Sequence, residues 1–240
     1  MLNVYAPGGV RSALQAAASE FERETGQSVA FTFGTGGAIQ KQVAAGAPAD
    51  VAVLPLDGAN ALEECGVAAS GTRQEVGSVG VGVGIKAGAP RPRIATLQEL
   101  KASLLAAGSI TYADPARGGT SGTYFATVVL PRLGIVEAMQ ARTVLAAVGE
   151  DAVKRVANGE SELVIVQSSE ITAVPGAELV GPLPKEVQAE IAYAAVVLAA
   201  SKAPEAAAAF VRYLVSPQGR AAFAAAGFES PPGDGAAPAR

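Results

Sequence analysis

A mixed α/β fold in two lobes is predicted by three features of this 240-residue chain. Strand-like and helix-like patterns alternate from the N-terminus onward. Two extended segments, near residues 76–86 and 190–200, bracket a central block. Hydrophobic residues make up 50% of the chain but aromatic ones only 5%, so the core is expected to consist mainly of Ala, Val, Leu and Ile. Because the bracketing segments bring the two ends of the chain together, residues 1–80 plus 196–230 are assigned to one lobe and 81–195 to the other, joined by two crossing strands in a hinged clamshell. The Pro- and Gly-rich stretch 231–240 is assigned as a disordered tail.

The elements follow in order. Leu2 to Tyr5 reads as a strand, and a helix from about Ser12 to Thr25 carries Leu14, Ala17, Ala18 and Phe21 on one face until Gly26 stops it. Val29, Phe31 and Phe33 alternate as a second strand. A helix begins near Ala38, Asp50 to Leu54 forms a buried strand, and a helix spans about Asp57 to Cys65, whose cysteine is read as a small packed residue. From Val76, four glycines (77, 80, 82 and 84) interleave with Val79, Val81, Val83 and Ile85, a crossing strand with one bare face against which something must pack closely. No helix start follows these glycines, which argues against a dinucleotide-binding loop. Thr96 and Glu99 form a capping box. Then come a strand at Ser109–Tyr112, a helix from Ser121, a helix near Glu150–Asn158, a strand at Leu163–Val166, an extended run at Ile191–Ala200, and two closing helices at about Pro204–Val215 and from Ser216-Pro217.

Composition removes whole classes of chemistry. With no histidine, Ser-His-Asp and Cys-His nucleophile systems, imidazole acid/base catalysis and His-ligated zinc are excluded. A net charge of −4 without basic blocks argues against a nucleic-acid surface, and no apolar run reaches the roughly 18 residues of a membrane span. A small molecule is the expected partner, with no metal and no cofactor. The opening Leu2-Asn3-Val4-Tyr5 lacks the pattern of a secretion signal, so a mature exported form is expected, with a cytoplasmic one left open.

In parallel α/β sheets ligands sit beyond the carboxyl ends of strands, and four loops there are rich in glycine or hydroxyls. The first holds Gly8, Gly9, Arg11 and Ser12, and an arginine opening a helix opposes the dipole unless an anion lies near. The second is Thr35, Gly36 and Gly37. The third, Asp114-Pro-Ala-Arg-Gly-Gly-Thr-Ser-Gly-Thr-Tyr124, offers Arg117, Gly119, Thr120, Ser121 and Tyr124 at a strand-to-helix junction where amides can grip an anion, although an ordinary N-cap by Thr120 or Ser121 accounts for the same residues. The fourth offers Gln167, Ser168 and Ser169, followed by Glu170. Used jointly, the four supply enough donors for a buried anion, each hydrogen bond to a charged group contributing about 1.5 to 3 kcal/mol.

The segment Phe-Gly-Thr-Gly-Gly-Ala-Ile-Gln-Lys-Gln-Val-Ala-Ala-Gly-Ala-Pro-Ala-Asp, residues 33–50, resembles the molybdate-binding proteins of ABC importers. The Asp114-Pro loop, Gly181-Pro-Leu-Pro184 and the stretch 206–227 look like the same class, so the resemblance covers residues 2–230. It implies a type II periplasmic binding fold that closes on an oxyanion, a monomer located in the periplasm, and an ABC permease as possible partner. Three positions depart from the family's site: Gly9 with Arg11 nearby stands in place of a hydroxyl, Gly36 in place of one serine, and Gln167 in place of a tyrosine. These residues suit planar carboxylates, which guanidinium binds bidentately, and the pattern is similar to a side branch that includes aconitate isomerase. The expected function is capture of an organic polycarboxylate by hinge closure, with two alternatives: an aconitate isomerase-like enzyme using Glu170, Asp114, Lys41 or Tyr124 as base, and molybdate or tungstate binding. An effector domain of a transcription regulator is disfavoured because no helix-turn-helix segment is present.

Overall fold

The computed structural model describes residues 1–231, so all but one residue of the expected tail lies outside it. Nine strands are described: β1 (Leu2–Pro7), β2 (Val29–Gly34), β3 (Val51–Pro55), β4 (Gln74–Lys86), β5 (Ile110–Ala113), β6 (Thr143–Ala146), β7 (Leu163–Gln167), β8 (Ala177–Pro182) and β9 (Glu190–Val197). They lie in the order β2-β1-β3-β9-β4-β7-β5-β6, with β8 also on β4. The parallel pairs β1–β2, β1–β3, β5–β6 and β5–β7 are each linked through helices, as parallel pairing requires. The crossing strands β4 and β9 pair antiparallel between the two groups.

Helices cover both faces of each sheet. They are α1 (Arg11–Thr25), α2 (Gly36–Ala44), α3 (Leu56–Glu64), α4 (Leu97–Ala106), α5 (Thr120–Tyr124), α6 (Leu130–Leu133), α7 (Val136–Gln140), α8 (Gly149–Ala157), α9 (Ser168–Thr172), α10 (Pro204–Leu214) and α11 (Pro217–Ala225). Helix α1 buries the face carrying Ala13, Leu14, Ala17, Ala18 and Phe21, and Gly26 ends it at φ 72°, donating its N–H to Glu22 O. Phe21 meets Phe210 and Tyr213 of α10 edge to face at 5.1 and 5.3 Å. Strand β3 is buried on both sides: Val51 and Val53 join a core running through both lobes, while Ala52 and Leu54 join a second core beneath α2 and α3. Between α5 and α6 the chain makes one π turn, Phe125–Val129, so that Thr120 to Leu133 is a continuous helix. Pro131 has no N–H for the carbonyl four residues back, and the helix widens at that point.

The bare face of β4 is explained by its neighbours. A Cβ on Gly82 would lie 2.8 Å from Leu179 Cδ1, and one on Gly84 would lie 2.8 Å from Val164 Cγ1 and 2.9 Å from Ile171 Cγ2. Gly77, at φ 141°, lies against the Glu229 carbonyl. Four short elements, α7, β6, α9 and β8, carry no pattern that the sequence analysis recognised. Cys65 corrects another expectation: it is exposed, at the C-cap of α3, because the turn into Gly66 carries it past the helix's buried face.

Candidate functional site

Strands β1, β2, β5 and β7 end at Pro7, Gly34, Ala113 and Gln167, and all four residues line one cavity between the lobes. The helices that follow point first-turn N–H groups toward it. Thr35 caps α2 by accepting from the Ala38 amide at 3.2 Å, but α5, α8 and α9 start at Gly119, Val148 and Gln167 without any side-chain cap. An ordinary cap by Thr120 or Ser121 is therefore not what this junction contains. Uncapped amides facing one space favour an anion.

The lobes are in close contact around this cavity. A Cβ on Gly9 would overlap the Gln167 amide, and one on Gly36 would lie 2.7 Å from Thr120 Oγ1. Gly37 and Gly118 touch backbone to backbone, with the Gly37 N–H donating to Gly118 O at 3.1 Å. The Thr35 hydroxyl donates to the Arg117 carbonyl, and the buried Ser169 hydroxyl donates to Gly9 O at 2.7 Å. These contacts leave about 20 Å³ of space, room for roughly one water molecule. Gln167 itself is oriented from the hinge: the buried Tyr193 hydroxyl of β9 donates to its Oε1 at 2.9 Å, which turns its NH₂ toward other partners.

One carboxyl group stands among these donors. Glu170, only 8% exposed, is wedged between Gly8 of the first lobe and Gly149 of the second, where a Cβ would lie 3.0 Å and 2.5 Å from its Oε1 and Cδ respectively. Burial raises its pKa to about 7; the nearby Glu150 charge pushes the same way, whereas a backbone hydrogen bond and Arg11 oppose the rise. Burial also raises the Tyr193 hydroxyl, with the Glu170 charge adding to it.

Of the residues picked out in the sequence, Gly8, Gly9, Thr35, Gly36, Gly119, Thr120, Ser121 and Gln167 line this cavity together. Others do not. Arg11 and Ser12 line an adjoining space of about 150 Å³ that shares Gly8 and Glu170 with it. There the Arg11 guanidinium pairs with Glu150 of α8 at 3.2 Å and lies 4.1 Å over the Phe33 ring. The Gly37 amide is engaged with Gly118, Tyr124 donates to the Val187 carbonyl at 3.2 Å, and the Ser168 hydroxyl donates to Gly80 O at 3.2 Å. Gly149 was not anticipated, because the short, half-exposed β6 before it hid a fifth strand-end loop. A cavity of about 490 Å³ elsewhere, lined largely by Ile85, Pro90, Pro92 and Leu163, lies at the opposite ends of the strands and gathers few polar groups. Among the described residues no cluster of His, Cys, Asp or Glu is placed to hold a metal.

Comparison with known proteins settles the family. Residues 2–229 match the family model described as bacterial extracellular solute-binding protein. The chain belongs to this family. Two members stand out among its relatives. It is 31% identical to the aconitate isomerase of Pseudomonas sp over 96% of this chain and 88% of that protein, and 25% identical to the molybdate-binding protein ModA of Escherichia coli K12 over 95% and 88%. Among solved structures, the periplasmic molybdate-binding protein of Azotobacter vinelandii superposes with a TM-score of 0.80 at 23% identity, covering 96% of this chain and all of that one. The sulfate-binding protein SubI of Mycobacterium tuberculosis gives 0.75 at 19%, covering 95% and 85%. The type II periplasmic binding fold and a solute-binding role follow for this chain.

Proposed function

We propose that the cleft captures a small organic polycarboxylate by closure of the lobes, for delivery to a membrane permease of the ABC type. The observation that carries this reading is Glu170. A fully ionised tetrahedral oxyanion offers only acceptors, so a site for it needs donors throughout, and an ionised side-chain carboxylate there would repel it. A protonated Glu170 donates, and a polycarboxylate brings carboxylates to meet the amides and the Gln167 NH₂ as well as a carbon skeleton to lie against glycines and Ala113. The remaining space of about 20 Å³ means that such a ligand is taken up from an open form.

The same residue favours a second reading, isomerisation on this scaffold, to which the 31% identity with an aconitate isomerase lends weight. A carboxyl group with a pKa of about 7 is suited to take a proton from an allylic carbon and return it two carbons away, shifting the double bond with no net loss of atoms. The uncapped amides would stabilise the charge that spreads onto the adjacent carboxylate in between.

A thermal-shift panel with trans-aconitate, citrate, sulfate, tungstate and molybdate separates the ligand classes. At 100 times its dissociation constant a ligand adds about 2.7 kcal/mol, or roughly 5–10 °C for a chain of this size. A rise with molybdate and tungstate alone refutes the carboxylate reading. Proton NMR of trans-aconitate mixed with the protein then distinguishes binding from turnover.

A further inference from the structure

Gly34 and Thr35 wall the inner cavity on one side, and on the other side of that wall the lobes enclose a larger space of about 370 Å³. Its apolar lining includes Ala38, Ala147 and Val148. Its two cations come from opposite lobes, Lys41 from α2 and Arg117 from the turn after β5. Arg117 has a loose partner, Asp114, with Nε to Oδ2 at 3.8 Å, while Lys41 forms no ion pair among the described residues. Bringing two positive groups to one space opposes closure by their mutual repulsion, and an anion placed between them reverses the sign of that effect.

We infer that this outer space holds the distal carboxylate of the ligand, so that the cleft selects acids with two or more carboxylates over acids with one. The inference rests on the carboxylate reading above and deepens it. Two observations direct the second charge here. The inner cavity is too tight for more than one ionised group beside Glu170. The adjoining space on its other side already holds Glu150 and Glu170 against the single guanidinium of Arg11, an excess of negative groups that disfavours another. Only on the Lys41 side do positive groups outnumber negative ones, two to Asp114 alone.

Calorimetric titration of the full chain with trans-aconitate, a tricarboxylate, and with crotonate, a monocarboxylate of related skeleton, tests this. For wild type we expect trans-aconitate to bind more tightly. Lys41→Gln should weaken trans-aconitate about fivefold, the span of a partly exposed charge pair, and Lys41→Glu should weaken it further, with a smaller change for crotonate in both. Unfolding midpoints of the unliganded variants check that the exposed position leaves folding intact. If wild type binds trans-aconitate and both variants bind it equally well, or if both ligands weaken in parallel, the outer subsite is overturned while the carboxylate reading stands. If wild type binds neither acid, the carboxylate reading itself falls and takes the subsite with it.

Discussion

Gly9 of the first lobe and Gln167 of the second are packed so closely that a methyl group on Gly9 would lie 2.6 Å from the Gln167 amide carbon. The amide cannot step aside, because its oxygen is held at 2.9 Å by the hydroxyl of Tyr193, itself buried in hinge strand β9. Closure of the lobes, the orientation of a ligand-facing donor and the hinge are thus joined through three residues.

Gly9→Ala should therefore keep the lobes from closing without unfolding either. The unliganded midpoint is expected to stay within roughly 2 °C of wild type, as for changes that touch no packed core, while the stabilisation by trans-aconitate disappears. Small-angle scattering would show whether ligand still compacts the variant. Compaction equal to wild type would contradict the contact.

Glu170 makes stability depend on pH in a defined direction. The folded chain keeps this carboxyl protonated up to pH about 7, whereas its ordinary value is 4.5. Between those limits the native state holds the extra proton, so stability is highest below pH 4.5, falls as pH rises toward 7 and levels beyond, by about 3 kcal/mol in all. Urea unfolding of wild type and Glu170→Gln at pH 5 and pH 8 isolates the effect as the difference between the two slopes. Identical slopes would place the carboxyl in a more solvated setting.

Arg11→Ala should weaken binding only about two- to fivefold. Its guanidinium links the lobes through Glu150 at 3.2 Å, with the two side chains 36% and 31% exposed, and such pairs are worth up to about 1 kcal/mol. Loss of all binding in a titration would mean instead that the guanidinium grips the ligand directly.

Asp50 anchors the chain far from the cleft. Its carboxylate accepts from the Asn3 amide at 2.9 Å and the Ser201 hydroxyl at 2.7 Å; burial alone would raise its pKa, but these bonds prevail and lower it. Its contribution is present above the ordinary carboxylate range and is lost as pH falls through the lowered folded value. Asp50→Ala should cost about 2 kcal/mol, a drop of about 4–8 °C in midpoint at neutral pH by calorimetry, with ligand affinity unchanged.

Periodicity and glycine placement carried most of the fold. The helix at Arg11–Thr25 and the strands at Val29–Gly34 and Val51–Pro55 matched their patterns because each buries a whole face, and the alternating glycines of β4 correctly signalled close neighbours, now seen as Leu179, Val164 and Ile171. Short elements escaped notice because four or five residues, as in β6 and α9, complete no period. The four loops of the cleft were legible as strand ends rich in small residues. The place of Glu170 was not, since a glutamate in the first turn of a helix is usually a solvated partner of the dipole; only the approach of Gly8 and Gly149 from both sides buries it. The same limit applies to Arg11, whose engagement with Glu150 depends on how the two lobes meet.

Strand β4 belongs to both halves at once: Gln74–Gly80 bond to β9 on one side of the hinge, and Val81–Gly84 continue into β7 on the other without a break in the chain. Neither half owns a complete set of backbone partners by itself. Denaturation should accordingly proceed in a single step for the whole molecule, and severing the two halves genetically would leave each with a raw sheet margin prone to self-association.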